Sequence, residues 1–181
     1  MEIQVMISQE QVLEKVKEMA QLLNERYHGE PVYLVGILKG SVFFMCDLAK
    51  YLTMPVTMDF MKVSSYGDGT ESSGNISIDM DLTASIEGKN VLVVEDIIDT
   101  GRTLEKLMKI LRERNPKTLT MCTLLDKPSR RTQDIQADYT GFEIDDLFVV
   151  GYGLDYAQQY RNLPYIGVIQ QKIFLKVTQR V

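Results

Sequence analysis

The sequence predicts an α/β fold with a mostly parallel central sheet, and three observations lead to this prediction. Strand-like apolar runs alternate along the chain with segments whose apolar residues recur every three or four positions, as in β-α-β units. The runs at 32–38 and 91–94 are nearly unbroken, as expected for strands that are covered on both faces. The 181 residues show no internal repeat and no domain boundary, so we expect one domain over residues 1–181.

The first predicted element is an amphipathic helix. Ser8 and Gln11 have the spacing of a capping box, and apolar residues follow at helical intervals to about Asn24. A strand predicted at 32–38 leads through a Lys-Gly-Ser turn into a helix at 42–52. By composition alone this turn is a weak signal for phosphate binding, because the GxxxxGK[ST] order of a phosphate-binding loop is absent.

The next predicted elements form a hairpin. A strand at 56–63 is followed by a polar segment at 64–75 that is rich in glycine and serine, and an alternating strand at 76–80 returns from it. A segment of this length without periodicity is either a linker or a lid over a functional site. The residues alone leave both alternatives open.

The stretch at 91–104 carries the strongest chemical signal. Its apolar strand ends in Glu95 and Asp96, Asp99 follows, and a Thr-Gly-Arg-Thr turn leads into a helix. The free N–H groups and the positive dipole end of such a helix suit a phosphate, whereas carboxylates accept hydrogen bonds from sugar hydroxyls. The stretch therefore predicts a phosphosugar site.

The turn at 100–103 offers several donors to one phosphate. Its consecutive backbone N–H groups are joined by two threonine hydroxyls and by the Arg102 guanidinium. We expect Gly101 to remove the Cβ that would keep the phosphate away. An acid-rich strand end with an N-capping threonine would explain one of these residues but not the whole set, so a phosphate site is the favoured interpretation.

The rest of the chain adds further strands and completes the sheet edge. We predict these strands at 118–125, 139–144, 147–150 and 166–169. The Arg130-Arg131 pair is interpreted as a solvated loop, and we expect the first helix and the C-terminal third to form a small hood on the sheet. Ligands bind at the carboxyl ends of parallel strands, and this rule places five side chains on one rim: Lys39, Glu95, Asp96, Asp99 and Lys127.

Composition and charge argue against several classes of function. The net charge of −5 disfavours nucleic acid or an anionic membrane as the main partner, and no apolar run approaches the roughly 20 residues of a membrane helix. The N-terminus lacks the basic head and apolar core of a signal sequence. Cys46 and Cys122 lie in apolar neighbourhoods without metal-site spacing, so we expect buried thiols in a reducing cytoplasm.

Residues 93–104 resemble the signature of the type I phosphoribosyltransferases. Within that group the chain is similar to the hypoxanthine-guanine phosphoribosyltransferases in their shorter bacterial form. The similarity covers nearly the whole chain and includes 36–41, 64–67, 125–127 and 148–156 together with Arg161. It implies the type I phosphoribosyltransferase fold, in which helices flank a mostly parallel sheet and the N- and C-terminal segments form a small hood.

The resemblance implies an enzyme of purine salvage. Such enzymes transfer the 5-phosphoribosyl group from 5-phosphoribosyl 1-diphosphate to N9 of hypoxanthine or guanine, giving IMP or GMP and diphosphate. They use Mg²⁺ and form dimers or tetramers, so a homo-oligomer is implied, with neither nucleic acid nor a membrane as a partner. Two alternatives stay open, a xanthine-preferring 6-oxopurine phosphoribosyltransferase and an RNA-binding regulator on the same fold.

The resemblance also assigns roles to individual residues. It implies that the 5′-phosphate is bound by Asp99, Thr100, Gly101, Arg102 and Thr103. It places the ribose at Glu95 and Asp96, and the diphosphate at Leu38, Lys39, Gly40 and Arg161. The implied purine site consists of Lys127, Phe148, Val149 and Asp155. The implied magnesium ligands are Glu95, Asp96 and Asp155, and the implied lid, about 64–75, contains Ser65 and Tyr66.

Two of these roles would carry the chemistry. Asp99 would take or shuttle the proton at purine N7. The Lys127 ammonium would donate to O6 of a 6-oxopurine, whereas adenine presents an amino donor at that position. The family also places a cis peptide in the diphosphate loop, which here would join Leu38 and Lys39.

Overall fold

The computed structural model describes residues 2–65 and 76–170. Its elements follow in chain order as β1 (Glu2–Ile7), α1 (Gln9–Tyr27), β2 (Val32–Ile37), α2 (Val42–Tyr51), β3 (Val56–Ser65), β4 (Ile76–Met80), β5 (Asn90–Ile98), α3 (Arg102–Arg112), β6 (Thr118–Asp126), β7 (Tyr139–Glu143), β8 (Val149–Val150) and β9 (Ile166–Gln170). A short 3-10 turn at Pro128–Arg130 follows β6. The predicted helices and strands are present with small shifts at their ends, and β1 is an additional strand.

Six strands form the central sheet in the order β4-β3-β2-β5-β6-β7. All neighbours pair in parallel except β3 and β4, which form the antiparallel hairpin expected from the sequence. Val32 of β2 faces Asn90 of β5, which in turn faces Thr118 of β6. These strands start level with one another, so their carboxyl ends meet at one edge of the sheet. The predicted α/β fold with a mostly parallel sheet is confirmed.

Helices cover both faces of this sheet. α1 and α2 pack on one face, where Leu92 and Val94 of β5 are fully buried. α3 packs on the other face, where Val91 and Val93 of the same strand are fully buried. Burying one such side chain stabilises a fold by about 1.5–3 kcal/mol. Two-sided packing therefore explains why the apolar run in β5 is unbroken.

A second sheet of three antiparallel strands, in the order β1-β9-β8, forms the hood. The hood is built from the N- and C-terminal segments as expected, but its N-terminal part is β1. This strand was not predicted, although four of its six residues are apolar, and Ile7, which faces Ile166 of β9, is the one residue of β1 that is buried. The expectation that the first helix belongs to the hood is wrong, because α1 buries Val16 and Leu23 in the main core against α2.

The ends of α1 are fixed by local hydrogen bonds. The predicted capping box is present, since Ser8 Oγ accepts from the Gln11 N–H at 3.3 Å and Gln11 Oε1 accepts from the Ser8 N–H at 2.8 Å. The helix runs to Tyr27, beyond the predicted Asn24, and stops where His28 takes a left-handed φ of 48°. None of the helices in the described ranges has the length and apolar character needed to cross a membrane.

Candidate active site

The carboxyl end of β5 carries the acid pair. Glu95 is 8% exposed and Asp96 is half-buried, and the Asp96 N–H donates to Glu95 Oε1 at 3.3 Å. Burial and the adjacent Asp96 carboxylate raise the pKa of Glu95 well above its usual value near 4.5. Because a buried charge without a partner is destabilising, this pair suits a ligand that brings hydroxyl donors or positive charge.

A cavity of about 220 Å³ joins Glu95 to the turn that follows β5. The residues that this turn contributes to the lining are Asp99, Thr100, Gly101 and Thr103. α3 begins at Arg102, so the first N–H groups of this helix of 11 residues lack intrahelical acceptors and suit an anion. The structure therefore brings Glu95, one of the two predicted sugar ligands, together with most of the predicted phosphate turn, whereas Asp96 does not line this cavity.

Gly101 and Arg102 differ from what the sequence led us to expect. Gly101 has a φ of 82°, and a Cβ there would lie 2.5 Å from Cγ2 of Ile135. The backbone conformation and the packing of Ile135 therefore require glycine at this position. The expected reason, room for a phosphate, is not the one that the structure gives. The Arg102 side chain does not line the cavity, and its Nε donates to Thr132 Oγ1 at 3.3 Å.

The loop after β2 contacts the acid pair directly. The Leu38–Lys39 peptide is cis, as the resemblance implied. A Cβ on Gly40 would overlap the Asp96 carboxylate, and a Cβ on Gly153 would overlap the Gly40 carbonyl. The loop is thus packed between Asp96 and the turn that follows β8, and only glycine fits at the two contact points.

Arg161 and Lys39 are the cations beside this loop. Arg161 Nη1 donates to the Gly153 carbonyl at 2.6 Å, and Nη2 pairs with Asp155 Oδ1 at 2.6 Å. Arg161 Nε is buried without a hydrogen-bond partner among the described residues, and such a donor fits a ligand with acceptor oxygens. Lys39 Nζ donates to Gln158 Oε1 at 3.2 Å. This donor set has the chemistry for an anion such as diphosphate.

Lys127 and Phe148 supply the features expected of a base site. Lys127 is 8% exposed, and its Nζ lies 3.6 Å from Asp146 Oδ1. The Phe148 ring is 53% exposed, and Tyr156 packs edge-on against it with ring centroids 5.5 Å apart. An exposed ring face that a second aromatic supports is suited to stacking on a planar base. Val149 follows as a buried residue of β8.

The interpretation of Arg130-Arg131 as a solvated loop is wrong for Arg131, whereas Arg130 is exposed as expected. The Arg131 guanidinium donates to the Asp99 carbonyl at 2.6 Å and forms an ion pair with Asp126. Arg130 Nε donates to the Asp99 carboxylate at 3.1 Å. Ile98 of β5 faces Asp126 of β6, so residues that follow either strand are neighbours at the sheet edge. The parallel register was therefore the signal that could have identified both arginines.

The predicted magnesium ligands Glu95, Asp96 and Asp155 do not form one protein-only site. In the part of the chain that the structure describes, no group of three or more His, Cys, Asp or Glu side chains is placed to hold a metal ion. Asp155 is paired with Arg161. The acid pair nevertheless fits Mg²⁺, which is commonly bound by one or two carboxylates together with waters and substrate oxygens.

The predicted lid lies largely outside the described residues. Ser65 is the last residue of β3, whereas Tyr66 and the rest of the segment, up to residue 75, are not described. The lid assignment therefore stays a prediction.

The sheet, the hood and the site together define a class of protein. A family model for the phosphoribosyl transferase domain matches residues 7–157. The chain therefore belongs to the phosphoribosyltransferase family, and its mostly parallel sheet with a hood is the type I fold of that family.

Two of three similar proteins match this chain over most of their own length, and the third does not. The chain is 51% identical over 170 residues to the hypoxanthine-guanine phosphoribosyltransferase of Bacillus subtilis, covering 94% of each chain. The solved structure of a hypoxanthine phosphoribosyltransferase from Staphylococcus aureus is 48% identical with a TM-score of 0.90, covering 94% of this chain and 93% of that one. The bifunctional protein TilS/HprT of Listeria monocytogenes is also 51% identical over 170 residues, but the chain spans only 26% of its length.

The two adjacent arginines are expected to differ in their contribution to stability. The side chains of Arg131 and Asp126 are only 15% and 12% exposed, so Arg131→Gln should lower the free energy of unfolding by about 3 kcal/mol, because it leaves a largely buried carboxylate unpaired. Arg130→Gln is the matched control and should cost at most about 1 kcal/mol, because its side chain is 47% exposed. Denaturant unfolding measures both changes, and equal losses would contradict this difference.

The raised pKa of Glu95 predicts a specific pH dependence of stability. The folded protein binds the proton of the Glu95 carboxyl more tightly than the unfolded chain does. This proton binding stabilises the fold fully below about pH 4.5, and the stabilisation is lost as the pH rises through the folded pKa. Without added Mg²⁺, the thermal midpoint of the wild type should therefore fall relative to that of Glu95→Gln over this rise.

Glu87→Gln serves as the control for the Glu95 experiment, because Glu87 is exposed. Its midpoint should follow the wild-type profile at every pH. Parallel profiles for the wild type and Glu95→Gln would show that burial of the Glu95 charge does not limit stability.

Proposed function

We propose that the protein is a purine-salvage enzyme that transfers the 5-phosphoribosyl group from 5-phosphoribosyl 1-diphosphate to N9 of hypoxanthine or guanine. The observation that carries the proposal is the single cavity shared by Glu95 and the phosphate turn at 99–103, because it matches a sugar attached to a phosphate. The relatives that this chain covers almost completely are hypoxanthine-guanine phosphoribosyltransferases, which supports the same substrates.

The phosphoribosyl donor is bound by complementary groups along the rim. The 5′-phosphate accepts hydrogen bonds from the N-terminal N–H groups of α3 and from the hydroxyls of Thr100 and Thr103. The two ribose hydroxyls donate to Glu95 and Asp96. Magnesium, for which Glu95 and Asp96 with Asp155 are the candidate ligands, would supply positive charge next to the departing diphosphate.

Lys39 and Arg161 are proposed to hold the leaving group. Both are cations beside the loop that contains Gly40, and the unpartnered Arg161 Nε offers a further donor. Donors that are already in position stabilise negative charge as it develops on the diphosphate oxygens, at little cost in reorganisation. This part of the site therefore favours breakage of the bond between C1 and the diphosphate oxygen.

Lys127 and Phe148 are proposed to select the base. The Lys127 ammonium donates to O6 of a 6-oxopurine while the purine ring stacks on the exposed face of Phe148. In the free protein Asp146 lies beside the Lys127 ammonium, at 3.6 Å, so O6 replaces a weak contact. Adenine would place an amino donor against this ammonium and leave both donors unpaired.

The proposed reaction is a substitution at C1 of the ribose. The C1–O bond breaks with its electron pair moving to the diphosphate, which gives C1 an oxocarbenium-like character, and purine N9 then forms the new bond with inversion. The proton on N7 passes to the Asp99 carboxylate. Asp99 can serve as the base because N7–H grows more acidic as N9 bonds to the sugar, and the Arg130 guanidinium holds its carboxylate in the free protein.

Location and assembly rest on the resemblance. We infer a cytoplasmic enzyme that acts on small molecules, in keeping with the free thiols of Cys46 and Cys122. The homo-oligomer, a dimer or tetramer, stays a prediction. No feature of the described residues favours the xanthine-preferring or the RNA-binding alternative over the proposed activity.

Replacing the proposed base tests the mechanism. Asp99→Asn should lower kcat for hypoxanthine by about 10²-fold or more, because positioned proton transfer typically contributes 10²–10⁴-fold. The asparagine keeps the shape of the side chain, so KM for the phosphoribosyl donor should change little. Steady-state assays of IMP formation measure both constants.

Asp134→Asn is the matched control, since Asp134 is an exposed acid to which the proposed mechanism assigns no role. It should leave kcat unchanged. Near-normal turnover by Asp99→Asn would refute the assignment of Asp99 as the base.

A further inference from the structure

The turn that follows β8 places a neutral side chain between the two cations of the diphosphate loop. Gln158 Oε1 accepts from Lys39 Nζ at 3.2 Å and from Arg161 Nη2 at 3.4 Å. One amide oxygen thus occupies donors from two parts of the chain that are far apart in sequence. The proposed function assigns both of these donors to the diphosphate.

The backbone of this turn is strained and well fixed. Tyr156 and Gln159 exchange two backbone hydrogen bonds, of 3.1 and 3.0 Å, around Ala157 and Gln158. The central residues have φ values of 51° and 64°, and Tyr160 follows with a φ of 74°. Glycine or asparagine is the usual choice at such positions, because the left-handed conformation is unfavourable for other residues. Strain of this kind points to a functional reason for the side chain.

A further contact links Gln158 to the rest of the site. Its backbone N–H donates to Asp155 Oδ2 at 2.8 Å, while Asp155 Oδ1 pairs with Arg161. The same carboxylate therefore holds both the Gln158 backbone and the Arg161 guanidinium. This arrangement presents the amide oxygen to the cations in the ligand-free protein.

We propose that Gln158 sets the affinity of the diphosphate site, because its amide oxygen competes with the diphosphate for Lys39 and Arg161. The inference rests on the proposed function, which assigns these cations to the leaving group. An internal acceptor satisfies the two donors when the site is empty, and the diphosphate must displace it. The same competition weakens the hold on the diphosphate product and so favours its release. Gln158 is thus a positioning residue for the two cations.

Substitutions at position 158 are expected to act in opposite directions. Gln158→Ala removes the competitor and should bind inorganic diphosphate about twofold to fivefold more tightly, because exposed hydrogen bonds of this length have small net energies. Gln158→Glu strengthens the competitor with a charge and should bind diphosphate about fivefold to tenfold more weakly. Alanine and glutamate both carry a Cβ, as glutamine does, so neither substitution changes the backbone strain at position 158.

Isothermal titration of the full-length protein with inorganic diphosphate at a fixed Mg²⁺ concentration measures these changes. Gln159→Ala and Gln159→Glu are the matched controls, since Gln159 lies on the same turn and its side chain makes no hydrogen bond to the described residues. The two controls should change the affinity by at most about twofold, because a charge that does not contact the cations is screened by solvent and salt.

Two results would overturn the proposal. One is a shift of Gln158→Ala and Gln158→Glu in the same direction, which would indicate a merely structural role. The other is an effect of Gln158→Glu no larger than that of Gln159→Glu, which would indicate a general charge effect.

Lys39→Ala separates this proposal from the proposed function. A loss of diphosphate binding in Lys39→Ala, combined with unchanged binding in both Gln158 variants, would refute only the role of Gln158. Unchanged binding in Lys39→Ala would refute the diphosphate site itself and the competition along with it.

Discussion

The parallel pairing of β2, β5 and β6 is the constraint on which the site depends. These strands start level at Val32, Asn90 and Thr118, so their carboxyl ends deliver loops to one edge of the sheet. A parallel strand cannot be followed by a tight hairpin to its neighbour, because the chain must cross over before the next parallel strand begins. The loops at the edge are therefore free to carry ligand-binding groups, and the helices that follow β2 and β5 contribute their N-termini.

The edge is crowded with charge, and its packing shows how that charge is accommodated. Gly40 has no side chain because the Asp96 carboxylate occupies the space, and Gly153 has none because the Gly40 carbonyl does. Glu95 lies deeper, where burial disfavours its charged form. Arg131, in turn, ties the Asp99 carbonyl to Asp126. The fold tolerates a destabilising carboxylate at the position where the proposed mechanism needs an acceptor for ribose hydroxyls.

Much of this architecture could be predicted from the sequence, because it depends on short-range patterns. The unbroken apolar runs predicted the buried parallel strands, and Ser8 with Gln11 predicted the start of the first helix. The acid pair followed by a Thr-Gly-Arg-Thr turn indicated a phosphosugar site before any family was considered. The Lys-Gly-Ser turn after the first buried strand was a weak signal by its residues, and only the resemblance assigned Lys39 a role.

What the sequence did not predict depends on pairing between distant segments. Four of the six residues of β1 are apolar, but only Ile7 is buried, and the strand is held in place by its pairing with β9. Arg130 and Arg131 looked like solvated charges until the register of β5 and β6 placed them beside Asp99. Gln158 belongs to no sequence motif that indicated a role for it. Its contact with Lys39 joins residues that are remote in the chain, and the strained turn that presents it is visible only in the backbone angles.

The proposed activity is tested most directly by comparing four bases as acceptors of the phosphoribosyl group from 5-phosphoribosyl 1-diphosphate. Hypoxanthine, guanine, xanthine and adenine would be assayed with the wild type and with Lys127→Gln, and kcat/KM would be measured for each base. If Lys127 recognises the 6-oxo group, the wild type uses hypoxanthine and guanine and discriminates strongly against adenine, and Lys127→Gln loses most of this discrimination. Comparable use of adenine by the wild type, or unchanged discrimination in the variant, would contradict the assignment of Lys127 to the 6-oxo group.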